Sequence, residues 1–131
     1  MTAQHLFTLE EARSLLPTVR VLLAEIQAAK RDLDEASAEL DRVLSLTNQN
    51  GHLAVQVEQA RARAESTGKA LQDKLGELDE LGIEIKGIEQ GLIDFPSLRD
   101  GRVVLLCYLL GEDDISFWHE VNAGFAGRRP L

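Results

Sequence analysis

The chain has 131 residues, 44% of them hydrophobic, and a net charge of −8: enough for one domain, or one domain with an elongated extension. Its apolar content suffices for a core, while the negative balance opposes the phosphate attraction on which general nucleic-acid binding depends. No run approaches the ~20 uncharged apolar residues of a membrane span, and MTAQHLFTLEE lacks the basic start and apolar stretch of a signal peptide. A cytoplasmic protein without nucleic-acid or membrane partners is expected.

The acidity is uneven. Residues 1–94 hold 17 acids and 10 bases, residues 95–131 five acids and four bases. The excess therefore belongs to the first part, as on a solvated helical surface. Cys107 is the single cysteine, which excludes an intrachain disulfide and any Cys-Cys metal motif. It lies in an apolar run, where a buried, unreactive thiol is expected.

The first helix starts at a capping box, Thr8 with Glu11. Ala12, Leu16, Val19, Leu23, Ile26, Lys30, Leu33, Ser37, Leu40 and Leu44 then recur at steps of four and three, the 3.5-residue repeat of a helix packed on a helix, over about 8–46. Pro17 falls inside this pattern and predicts a kink or break near residues 13–17. Turn-forming residues at 47–52 interrupt the repeat, which resumes at Leu53, Val57, Ala60, Ala64, Thr67, Leu71, Lys74, Leu78 and Leu81, with Gly82 placed to end a second helix over about 53–81.

Folding the chain back puts Leu33 beside Ala64, Ile26 beside Leu71, and Lys30 beside Thr67. That last pair is either a polar layer fixing alignment or a lysine reaching out of the seam. Helix one carries a second apolar stripe, Leu15, Leu22, Ala29, Ala36 and Val43, which helix two does not match. A single hairpin is expected to leave that stripe open, which predicts a homodimer forming a four-helix bundle through helix one.

After Gly82 the period changes to alternation. Residues 83–86 read as a strand, 87–91 as a turn, and 92–95 as its partner, stopped by Pro96; continuation of helix two to Ile88 is the alternative. The run RVVLLCYLL, residues 102–110, predicts a central strand covered on both faces, 111–114 a turn, and 115–121 a returning strand, with an irregular tail marked by Gly124, Gly127 and Pro130. The fold class is α+β: a long antiparallel, coiled-coil-like hairpin (1–81) and a small antiparallel sheet (82–131) packed on the overhanging start of helix one.

The richest residue mix is SFWHEVNAGFAGRR, residues 116–129. On a strand His119 and Glu120 face opposite ways and cannot share a metal. A divalent ion would instead recruit Glu112, Asp94 and Glu84 to His119, while the bland reading is a structural histidine. The zincin pattern fails, because Ala123 stands where a second histidine would be needed. Gly124 and Gly127 could expose backbone N–H groups, with Arg128 or Arg129 as the donor fork for an anion. The other reading is that the glycines serve turns and the arginines neutralise the acidic loop 112–114. No phosphate loop, dinucleotide fingerprint or hydrolase triad occurs.

The blocks GLIDFPS (91–97), GRVVLLCYLLGE (101–112) and WHEVNAGFAGRRP (118–130), with the opening TLEEARSLLP (8–17), resemble in order and spacing a bacterial family of unknown function, number 2203. The resemblance spans nearly the whole chain. It implies a long helical segment before the strands and no established activity, and it draws attention to Asp94, Glu112, His119, Glu120, Gly124, Phe125, Gly127 and Arg128. Asn122 stands where the family pattern has an acid and Leu109 where it has a basic or polar residue; the first departure weakens a metal reading.

Three functions compete. The leading one is a non-enzymatic, dimeric binding or assembly module with a small polar pocket in the β segment, open to a protein partner. The second is a metal-dependent enzyme, such as a hydrolase, with Glu120 as proton carrier. The third is an anion or small-metabolite binder using Arg128.

Overall fold

The structure is a computed structural model and describes residues 4–49 and 53–131. It contains helices α1 (Leu9–Gln49) and α2 (Ala54–Glu80), then strands β1 (Glu84–Gly87), β2 (Leu92–Arg99), β3 (Arg102–Leu109), β4 (Phe117–Glu120) and β5 (Arg129–Pro130), with a 3-10 turn at Phe125–Gly127 before β5. The strands form one antiparallel sheet in sequence order. Two helices followed by an antiparallel sheet make the chain α+β. It has two compact units, Met1–Ala24 with Gly76–Leu131, and Glu25–Leu75.

Local signals set the helix ends. Glu11 N–H donates to Thr8 Oγ1 at 3.0 Å and Thr8 N–H to Glu11 Oε1 at 3.1 Å, closing the capping box. At the other end of the helical pair, Gly82 N–H donates to the Asp79 carbonyl and Ile83 N–H to that of Leu78, with Gly82 at φ 87°. This paired closure needs a left-handed residue at Gly82, and Ile83 and Leu78, which it joins, are both buried. Helix two therefore stops before Ile83, and β1 is a strand.

In the unit Glu25–Leu75, Ile26, Ala36, Val43, Ala60 and Leu71 are buried. Lys74 Nζ lies 3.3 Å from Glu25 and Arg63 Nη2 3.8 Å from Glu35, an antiparallel order. Lys30 Nζ reaches Asp34 at 2.6 Å, and the Thr67 hydroxyl donates to carbonyls of its own helix.

Three helix expectations change. Of the kink or break expected near residues 13–17, the break does not occur, since α1 runs on through Pro17: one hydrogen bond is lost there, while Ala12, Leu16 and Val19 on either side are almost fully buried. Helix α1 also continues to Gln49, beyond the end expected near residue 46, and residues 50–52 of the expected turn lie outside those described. The buried stripe passes from Leu33 to Ala36 and Val43, leaving Ser37 exposed, because burying the methyl of Ala36 avoids burying a hydroxyl. With Leu22 also buried, most of the second stripe is covered within the chain.

In the other unit, one sheet face (Ile93, Phe95, Val104, Leu106, Tyr108, Trp118) is turned to the start of α1. Phe7 meets Phe95 edge to face at 5.3 Å, and Arg20 Nε donates to the Tyr108 hydroxyl at 3.1 Å. Arg13 binds the Ile115 carbonyl at 2.8 Å. Strand β2 runs through Pro96, contrary to the expected stop. A residue's N–H and C=O leave a strand on the same side. The Pro96 carbonyl accepts from Phe7 N–H at 2.7 Å, so its missing donor falls on the side where β1 has ended, not in the ladder to β3. The tail is likewise not irregular throughout, since Arg129 and Pro130 pair with Trp118 and Phe117.

Candidate functional site

The face of the sheet opposite α1 gathers one polar side chain from each of three neighbouring strands. Asp94 of β2 stands across from Cys107 of β3, and His119 of β4 stands across from Leu105, two residues from Cys107 on the same face. Their relative exposures are 1%, 0% and 2%, and a carboxylate oxygen, the Cys107 Sγ and a His119 ring nitrogen all lie within 4.8 Å of one another. Strand register alone creates this cluster.

Hydrogen bonding fixes the imidazole. Nδ1 lies 2.7 Å from the Glu120 carbonyl oxygen, which can only accept, so Nδ1 carries a proton. Nε2 is thereby aimed at Asp94 Oδ1, 3.1 Å away. Burial raises the Asp94 carboxyl above its ordinary value, against the pull of His119, Cys107 and Lys86. Burial, then the Asp94 charge, pushes the Cys107 thiol up to about 12. At neutral pH Cys107 is a thiol and not a nucleophile.

The other expected ligands are elsewhere engaged. Glu112 Oε1 accepts from Leu109 N–H at 2.7 Å and Arg128 Nη2 at 2.6 Å. Burial would raise its carboxyl, but the Arg128 and Leu109 hydrogen bonds and the Arg128 charge outweigh it and hold it below the ordinary range. Glu84 stands across from Asp94, with its carboxylate 2.8 Å from Lys86 Nζ. Glu120 projects from the opposite face to His119, where Arg102 Nε donates to both its oxygens at 3.1 and 3.2 Å. That hydrogen bonding holds the Glu120 carboxyl low.

Arg128 packs over Phe117 at 4.2 Å and Phe125 at 4.6 Å, and donates to the Cys107 carbonyl at 3.3 Å as well as to Glu112. Its Nε–H is buried without a hydrogen-bond partner. Gly124, at φ 71°, and Gly127 bound the 3-10 turn, and Gly127 N–H donates to the Gly124 carbonyl instead of facing a concavity. Arg129 lies over the Trp118 ring at 5.3 Å on the other face.

Asp94 and His119 were both visible as candidates from residue type. Cys107 was not, because a cysteine in an apolar run looks like any small core residue. Only the β2–β3–β4 register could have joined it to them.

Fold and site define an α+β protein with a buried Asp–Cys–His cluster on the sheet face turned away from α1. The chain belongs to the family described as Uncharacterized conserved protein (DUF2203), whose model matches residues 5–131. No curated protein and no solved structure matches it. Among the described residues no helix is long and apolar enough to cross a membrane.

Proposed function

We propose that the protein is a non-enzymatic binding module whose site is the polar cluster of the C-terminal sheet. The observation that carries this reading is that the carboxylates offered for proton transfer are held by bases: Glu120 by Arg102 and Glu112 by Arg128. A general base needs a carboxylate within reach of substrate and free to change its protonation. Asp94 and His119 have each other as partners and almost no exposure.

The test is turnover of ester, phosphoester and peptide substrates by the purified protein and its Glu120→Gln variant. The reading expects no difference between the two. Turnover by the wild type that vanishes in Glu120→Gln would establish the enzyme instead. Anion binding through Arg128 gains little support, since Glu112 and the Cys107 carbonyl already share its guanidinium.

Assembly is the second part of the proposal. A homodimer through helix one would form on what Leu15 and Ala29 still expose, with Leu22, Ala36 and Val43 buried in the chain itself. Light scattering at micromolar concentration decides: a dimer mass retains helix one as an interface, and a monomer mass removes it.

A further inference from the structure

We propose that Asp94, Cys107 and His119 bind one divalent transition-metal ion of the zinc class, through a carboxylate oxygen, Sγ and Nε2. The inference rests on the reading of the sheet as a binding site and names its ligand.

Donor chemistry sets the class. One sulfur, one imidazole nitrogen and one carboxylate oxygen match zinc, cobalt and similar borderline ions, whereas magnesium and calcium favour shells made of oxygen. Bond lengths of ~2.0–2.3 Å to a tetrahedral ion put neighbouring donors roughly 3.3–3.6 Å apart. Asp94 Oδ1 and His119 Nε2 are 3.1 Å apart, and all three donor atoms lie within 4.8 Å. The wider separations need to close by roughly 1 Å to reach the spacing of a tetrahedral shell.

Orientation agrees with the class. A metal-binding imidazole donates its other N–H to a fixed acceptor, which sets the tautomer and aims the ring. The Glu120 carbonyl does this for Nδ1 at 2.7 Å, which leaves Nε2 on the Asp94 side, 3.1 Å from Oδ1. The Cys107 backbone is tied in turn through its carbonyl to Arg128 at 3.3 Å.

Charge agrees as well. A carboxylate and a thiolate balance a dication, which a site this buried requires. The nearby cations are paired to other carboxylates: Lys86 lies 2.8 Å from Glu84 and Arg128 2.6 Å from Glu112. Three protein donors leave a four-coordinate ion one position for water.

The test uses the full chain without a histidine tag, stripped with chelator and titrated with cobalt(II). Expected are one equivalent bound, a thiolate-to-cobalt charge-transfer band in the near ultraviolet, displacement by an equal amount of zinc, and none by magnesium or calcium. Cys107→Ser should lose the band. Asp94→Asn and His119→Gln should weaken binding by at least the roughly 10–100-fold that outer-sphere partners alone can cost. Circular dichroism on each variant confirms that the fold survives.

No cobalt bound to the folded wild type overturns the proposal, leaving the non-enzymatic reading to its own turnover assay. Binding whose band persists in Cys107→Ser overturns the ligand set, and displacement by magnesium overturns the class.

Discussion

In the unit Glu25–Leu75, charged side chains meet in water: Lys74 with Glu25 and Arg63 with Glu35, all at least one-third exposed. In the unit containing the sheet, Asp94 and His119 meet at 1% and 2% exposure, and Glu112 and Arg128 at 24% and 12% of their side chains. The same kinds of residue do different physical work. Exposed pairs are screened and tune alignment weakly, whereas burial makes each polar group dependent on its partner. The helical unit can lose a charge cheaply and the sheet cannot, which is where a site held in fixed geometry belongs.

That contrast can be broken at several points. The largest effect is expected from Phe95→Ala, which empties a fully buried aromatic position between the sheet and Phe7 and should cost about 4 kcal/mol in denaturant unfolding. Asp94→Ala leaves buried His119 without its partner and should cost about 3 kcal/mol. A loss as small as that of a surface substitution would place the pair in water and end the comparison.

Glu112→Gln should cost about 1–2 kcal/mol at neutral pH by weakening the charge-assisted bond to Arg128. Its pH dependence has a definite sign. The folded-state carboxyl is held below its ordinary value, so its contribution is fully present above the ordinary carboxylate range and is lost as pH falls through the folded value. Between neutral and acid pH the Gln variant should therefore lose less stability than the wild type. The smallest effect is expected from Glu35→Ala, below about 1 kcal/mol and reduced further by salt.

The parts of the fold legible in the sequence are those written in neighbouring residues. Thr8 with Glu11, Gly82 after the last helical turn and the apolar run of β3 each act within a few positions, and each lies where its chemistry implied. Pro96 misled because proline forbids one hydrogen bond, not a strand, and the side on which that bond falls depends on where β1 ends. The second stripe of α1 misled because its lower half is the seam: Ala36 and Val43 take the places assigned to Ser37 and Leu44.

The site was legible as residue types but not as a set. Carboxylates and imidazole ligate metals, which singles out Asp94, Glu112, Glu84 and His119 by type alone. Which of them meet depends on pairings across 25 residues and on which acid a base reaches first. Arg128 and Lys86 take Glu112 and Glu84, and the β2–β3 register brings Cys107 to Asp94. No local pattern encodes that exchange.

Three strands deliver Asp94, Cys107 and His119 to one point, where the proposed ion would sit. An anomalous difference map recorded at the zinc edge, from crystals grown with one equivalent of zinc, tests it most directly. A single peak is expected within bonding distance of the Asp94 carboxylate, Cys107 Sγ and His119 Nε2. A well-ordered sheet with no peak there, or with zinc bound instead by exposed residues, would contradict it.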